Sequence, residues 1–343
     1  MKIFKKLAAL TIASAMAVSG AASAMAFSDM PSGAMGVAIE NAVSNGLLTG
    51  YDDNTVKPND PITRAQMSAI IVRAFGATEK EANNFADVAD DAWYREAVEK
   101  AVYMGAFKGD DQGNFNPENN ITFQETYTVL ARVFQFTERI NYQNVGILSP
   151  AEDCLDDFAD KDQVASWAVE YAKAVVDNGG YTGINGLLKP TDSITRGEFA
   201  MVMDELVSLY IDEEGTYTTG FGNGTVVVRS GGVTIDGLNT SKNLILSYGI
   251  DKETVVKNST VDGCVVIYGG TDKTPVQTNG KLTADESFIS ITLDSKATMY
   301  DCRIFAPYSF VTIDCAQLNA ETDRIPNIKG YAETSVINLG SVG

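Results

Sequence analysis

The sequence predicts an α+β multidomain chain: an all-α N-terminal half, then an all-β C-terminal half read as a parallel β-solenoid, with a β-sandwich as the alternative. Three observations predict it. One helical unit recurs three times between Phe27 and residue 212. Helical periodicity stops near Gly215. Short β-rich runs then continue to the C-terminus.

The chain opens with a leader, residues 1–26. Lys2, Lys5 and Lys6 precede an apolar stretch from Leu7 to Val18, and small residues follow with A-x-A sites ending at Ala24 and Ala26. This is the pattern of a secretory signal peptide. The apolar stretch is well short of the ~20 residues a membrane span needs. No later stretch is apolar enough to span, so retention at a surface must come from binding.

Unit one occupies 27–84, unit two 85–150 and unit three 151–212, with Phe27, Phe85 and Phe158 opening each as F-x-D. An amphipathic helix follows; in unit two it carries Ala97, Val98, Ala101 and Val102. Gly46, Gly105 and Gly179 stand where a left-handed residue ends that helix. A polar loop with Pro58, Pro117 or Pro190 comes next. A second helix then starts with Thr63-Arg64-Ala65-Gln66, Thr122-Phe123-Gln124-Glu125 or Thr195-Arg196-Gly197-Glu198, each a T-x-x-E/Q capping box. Its apolar stripes are Met67, Ile70, Ile71 and Ala74; Val129, Leu130, Val133 and Phe134; and Val202, Met203, Leu206 and Val207. The extra length of unit two, Gln135 to Leu155, reads as a surface loop.

These units resemble S-layer homology domains. The hallmark reads F-x-D, helix, Gly/Pro loop, then Ile62-Thr63-Arg64-Ala65-Gln66 and Ile194-Thr195-Arg196-Gly197-Glu198. The resemblance covers residues 27 to about 212. It implies a pseudo-threefold helical bundle whose grooves bind a secondary cell-wall polysaccharide, often one ending in a pyruvylated sugar. It places the protein outside the cell, on the wall.

Arg64 and Arg196 are the first residues of their helices, where the helix dipole is already positive by about half a charge. An acidic ligand reverses that unfavourable placement, because a guanidinium fork beside free helix N–H groups holds a carboxylate. The alternative is a structural ion pair with Asp60 or Asp192. Unit two has Phe123 at this position and lacks the fork. Trp93 and Trp167 occupy equivalent places in units two and three, with Ala34 in unit one. Each tryptophan can stack on a sugar ring or fill the core. The expected glycan-binding set is therefore Arg64, Arg196, Thr63, Thr195, Trp93 and Trp167, in unequal grooves.

Residues 213–343 hold runs such as Thr225–Val228, Val233–Ile235, Leu244–Leu246 and Cys264–Tyr268, punctuated by Gly, Asn and Asp. The phrases Val233 to Gly237 and Thr260 to Gly263 look like one motif reused. This half is similar to the β-helix modules that accompany such repeats. Some β-helices cleave polysaccharides, so Asp285, Glu286, Asp294 and Asp301 are the carboxylates to weigh. Nothing in their arrangement singles them out, and the expected role is structural, spacer or adhesive rather than catalytic. A wall-anchored glycan-active enzyme and an envelope tether are the competing readings.

Composition supports binding over catalysis. With no histidine, a Ser-His-Asp or Cys-His site is impossible within this chain. A net charge of −19 disfavours nucleic acid and anionic lipid. The four cysteines, Cys154, Cys264, Cys302 and Cys315, form no metal pattern and read as mostly free, with Cys302 and Cys315 the pair to test for a bridge. No cofactor or metal is expected. Self-association in a surface layer is left open.

One outcome follows from the arginine placement. Arg64→Ala and Arg196→Ala should each weaken binding to purified wall polysaccharide by about tenfold, the loss of one charge-assisted fork. Phe123→Ala should lower the melting temperature instead. Wild-type binding by both arginine variants would make the arginines structural.

Overall fold

The computed structural model describes residues 27–137, 150–269 and 301–305 with their side chains, and the backbone of short strands between 139 and 148 and between 277 and 339. The leader, Asp285, Glu286, Asp294 and Cys315 lie outside the described residues.

Among the described residues six α-helices make the N-terminal half, two per unit: α1 (Ala34–Ser44), α2 (Arg64–Phe75), α3 (Arg95–Tyr103), α4 (Phe123–Val133), α5 (Val169–Ala174) and α6 (Arg196–Leu206). The capping box forms at all three expected places. Thr63, Thr122 and Thr195 each accept the backbone N–H three residues on, and Gln66, Glu125 and Glu198 reach back to the threonine N–H. The apolar stripes after each box are buried. Gly46 and Gly105 adopt the left-handed conformation, with φ 70° and 69°. In unit three the helix widens into a π turn over Val175–Gly179, so Gly180 takes the left-handed position in place of Gly179. The insert expected as a surface loop carries an antiparallel pair, Arg139–Asn141 with Gly146–Leu148.

The units close in a cycle. α3 packs on α2, α5 on α4, and α1 on α6, so each unit's first helix lies on the second helix of the unit before. At the centre three backbone hydrogen bonds form a ring. Ile62 N–H donates to Ile194 C=O (3.0 Å), Ile194 N–H to Ile121 C=O (3.0 Å), and Ile121 N–H to Ile62 C=O (2.9 Å). All three isoleucines are buried.

Two large sheets build the C-terminal half, beside a short antiparallel pair, Gln277–Thr278 with Lys281–Leu282. The first takes, in spatial order, Val207–Ile211, Thr225–Val228, Leu244–Leu246, Thr260–Ile267, Thr298–Ile304 and Asn327–Gly330. The second takes Gly215–Tyr217, Val233–Asp236, Thr254–Lys257, Ile289–Leu293, Ser309–Ile313 and Val336–Leu339. The chain alternates between them, and neighbouring strands along both are parallel. Val233 and Thr260 fall in different sheets, so the two similar phrases are not one structural motif.

The central strands of the first sheet, Thr225–Val228, Leu244–Leu246 and Thr260–Ile267 from Cys264 on, are buried on both faces, which is why they read as continuous runs. Val226, Val228, Leu244, Leu246, Val265 and Ile267 pack toward the second sheet. Their alternates Val227, Ile245, Cys264 and Val266 join the core of the helical bundle. No linker separates the halves: α6 ends at Leu206 and the first strand begins at Val207.

The last carbonyls of a helix have no intrahelical donor, and here the sheet supplies one to each neighbouring helix. Ser247 Oγ donates to Phe75 C=O (2.5 Å), Asn243 Nδ2 to Phe134 C=O (2.8 Å), and the Tyr268 hydroxyl to Val133 C=O (2.9 Å). Arg229 donates to the carbonyls of Arg73 and Asn45 (3.1 and 3.0 Å), placing a cation at negative helix ends. Asp301, one of the carboxylates weighed for catalysis, is buried and paired with Arg303 at 2.8 Å.

Cys154 and Cys264 are free thiols. Burial pushes the Cys264 thiol well above its ordinary value.

Asn243 joins both halves, because its Oδ1 also accepts the Cys264 N–H at 2.8 Å. Asn243→Ala strands a helix carbonyl and a strand N–H and should cost about 2–4 kcal/mol. Thermal and urea melts should show one shifted transition; a change under about 0.5 kcal/mol, the usual surface scatter, would mean the halves are not coupled there.

Candidate functional site

The site is built from the F-x-D openings. Asp29 accepts two successive backbone N–H groups, Val56 and Lys57 (both 2.8 Å). Asp87 does the same for Phe115 and Asn116 (2.8 and 2.7 Å), and Asp160 for Leu188 and Lys189 (2.9 and 2.7 Å). The second residue of each pair is left-handed: φ is 50° at Lys57, 58° at Asn116 and 52° at Lys189. The aspartate thus holds a loop turn that no free chain would favour. The phenylalanine of the same motif covers a glycine. A Cβ on Gly50, Gly109 or Gly183 would lie 2.0, 2.4 or 2.7 Å from the ring of Phe27, Phe85 or Phe158.

Each loop then completes the helix start of the preceding unit. Arg64 and Ala65 N–H donate to Asn119 and Pro117 C=O (both 2.9 Å). Phe123 and Gln124 donate to Asp192 and Pro190 (both 3.0 Å), and Arg196 and Gly197 to Asp60 and Pro58 (3.0 and 2.8 Å). With the threonine taking the next N–H, these helix N–H groups are not free. This corrects the expectation that a ligand carboxylate would meet them: the loop carbonyls are there first.

The arginines are placed by the same loops. Arg64 Nε donates to Phe115 C=O (2.8 Å) and Nη2 to Lys108 C=O (3.2 Å), between the rings of Phe107 and Phe115. Its Nη1 lies 3.6 Å from Glu125. Arg196 Nε donates to Val56 C=O (2.7 Å) and Nη2 to Thr49 C=O (2.6 Å), over the Tyr51 ring. Its bonds go to Asp60's backbone and to these carbonyls, not to an aspartate side chain. Arg196 is buried yet makes no ion pair among the described residues. Burial lowers the pKa of both guanidinium groups, as expected where charge is poorly compensated.

Unit two solves the same problem without an arginine. Phe123 is fully buried, and Tyr127, one turn later, donates its hydroxyl to Leu188 C=O, the counterpart of Phe115 and Val56. Tyr127 escaped the sequence reading because its role lies outside the capping motif; the only signal was a tyrosine among small residues at that helical turn. Lys189 lies over the Phe123 ring and pairs with Glu198, closing this third position.

Trp93 and Trp167 are 68% and 53% exposed, so neither is a core residue. Trp167 lines an open groove with Arg64, Lys108, Asn120 and Glu125, between three units. Thr63 and Thr195 stand at the arginine positions as helix caps. The structure therefore brings Arg64, Thr63 and Trp167 to one region of the bundle.

The family model of the S-layer homology domain matches residues 26–68, 84–126 and 157–200. The chain carries three S-layer homology domains. Relatives agree in kind. A surface-layer 125 kDa protein of Lysinibacillus sphaericus is 30% identical over 58% of this chain and 16% of its own length. The S-layer protein EA1 of Bacillus anthracis is 27% identical over 98% of this chain and 38% of its own length. An amylopullulanase of Thermoanaerobacterium thermosulfurigenes is 28% identical over 48% of this chain and 8% of its own length, through the S-layer homology region. The chain thus spans well under half the length of these relatives. The domains and the surface-layer relatives mark a cell-surface, cell-wall protein. Among the described residues no helix is long and apolar enough to cross a membrane.

The geometry gives the arginines a structural share that their sequence position hides. Arg196→Ala removes the donors to the buried Val56 carbonyl and the partly buried Thr49 carbonyl and should cost about 2–3 kcal/mol. Arg196→Lys should recover only part, because an ammonium cannot span both carbonyls. Chemical denaturation of the three proteins measures this; equal stability would show that the carbonyls are satisfied by water.

Proposed function

We propose that the protein is held non-covalently on the cell wall by its three S-layer homology domains, which bind an acidic, pyruvylated secondary cell-wall polysaccharide. Arg196 carries this reading. A buried guanidinium with Nε and Nη2 locked on carbonyls, and no ion pair among the described residues, is prepared for an anion at its remaining edge. Arg64 repeats the arrangement, tempered by Glu125, and Trp167 adds a stacking face to its groove. By the pseudo-threefold, Trp93 stands toward the groove of Arg196. The groove of Phe123 has neither arginine nor tryptophan and is the weakest of the three.

The C-terminal half serves as a structural, spacer or adhesive module. Its parallel strands, alternating between two sheets, support the parallel β-solenoid. Wall binding rather than glycan cleavage is favoured by the burial of Asp301 in an ion pair, and by surface-layer relatives such as EA1, whose likeness runs through nearly the whole chain.

The test uses the full chain and sacculi from a wall with pyruvylated polysaccharide. The protein should sediment with them, and mild-acid removal of the ketal-linked pyruvate should release it. Arg196→Gln should weaken the association by about tenfold at a temperature where it remains folded. Undiminished binding after pyruvate removal would overturn the acidic-ligand reading.

A further inference from the structure

The groove of Arg64 does not end at the helix starts. Its upper stretch is lined by Arg64, Lys108 and Trp167. A middle stretch shares these residues and adds Thr128 and Arg132. A lower stretch shares Lys108 and Arg132 and adds Tyr103, Tyr171 and Tyr248, at the junction with the first sheet. Shared walls make this one continuous channel from the top of the bundle to the β half.

The helices dictate its course. Glu125, Thr128 and Arg132 lie along one face of α4, and a seven-residue advance is about 10 Å. Trp167 and Tyr171 are four residues apart at the start of α5, on the opposite wall. The channel is therefore longer than one pyranose ring, and aromatic faces recur along it. Tyr103, at the end of α3, is 41% exposed. Tyr248 stacks on Tyr268 at 4.7 Å, so its position is fixed by the sheet.

Arg132 is the cation of the lower stretch. It lies 5.2 Å over the Tyr171 ring and 3.4 Å from the Tyr171 hydroxyl. It makes no ion pair among the described residues, although Glu170 lines the same stretch; Glu170 pairs with Lys173 instead. A cation kept off its acidic neighbour, beside tyrosines and an open channel, matches an acidic sugar chain.

We propose that this channel binds an internal run of the wall polysaccharide, with Arg132, Tyr171 and Tyr103 forming a distal subsite below the Arg64 groove. The reading rests on the groove being the glycan site. It means that the protein grips several consecutive sugars, with the β half forming the floor of the lower stretch.

The experiment is titration calorimetry of the full chain with muramidase-released wall polysaccharide sorted by size. The wild type should bind multi-repeat pieces about tenfold tighter than single-repeat pieces. Tyr103→Ala combined with Arg132→Gln should abolish that difference and leave single-repeat binding unchanged. Tyr103→Ala alone, at an exposed position, should show a smaller loss and guards against misfolding in the double variant. Equal affinity for long and short pieces, or an unaltered length dependence in the double variant, overturns the distal subsite while leaving wall anchoring intact. Failure of the wild type to bind either size overturns both readings.

Discussion

The bundle depends on one exchange: every unit's capped helix begins on carbonyls that belong to the next unit. The isoleucine ring at the centre and the loop carbonyls of Asn119, Asp192 and Asp60 make that exchange cyclic. A helix start normally needs side chains or water to satisfy its first N–H groups. Here two come from a neighbour and one from the threonine cap, so no single unit is complete alone. The F-x-D aspartates act at one remove, since they hold the left-handed turns that aim those carbonyls. A ligand at these helix starts would therefore have to be met by side chains at the rim. The helix N–H groups are committed to the fold.

A second joint lies at the other end of the same helices. Ser247, Asn243, Tyr268 and Arg229 give the terminal carbonyls their donors. Both cores meet on the first sheet, where alternate residues of one strand serve the bundle and the β half. Two halves that differ in composition and periodicity are thereby one packed body at their contact.

Much of this was legible in the sequence, and the limits are physical. Capping boxes, apolar stripes and the repeat depend on residues a few positions apart, and all appear where Thr63, Thr122 and Thr195 placed them. The pattern could not show that the N–H groups beside Arg64 and Arg196 were already bonded, because their partners lie in another unit. Tyr127 was invisible for the same reason: its role is defined by Leu188, far along the chain. Gly180 displaced Gly179 because a π turn adds one residue, which local spacing does not reveal. The strand runs were plain, but their pairing was not. Continuous apolar runs such as Thr225–Val228 became intelligible only once the bundle was found on the sheet's outer face. Trp93 and Trp167 needed the structure to decide between core and surface, since both fates suit an aromatic residue at a helix entry.

The passage from Leu206 to Val207 carries a mechanical meaning. Tension applied to the β half enters the bundle through α6 directly, with no slack segment to stretch first. At its far end α6 begins at Arg196, whose guanidinium and backbone are fastened to unit one. Pulling on the β half would therefore load the joint between the last and first units along the chain, and the ends of α2 and α4 through their side-chain contacts. The covalent path out of the β half and the packed joint of units three and one thus share a single helix.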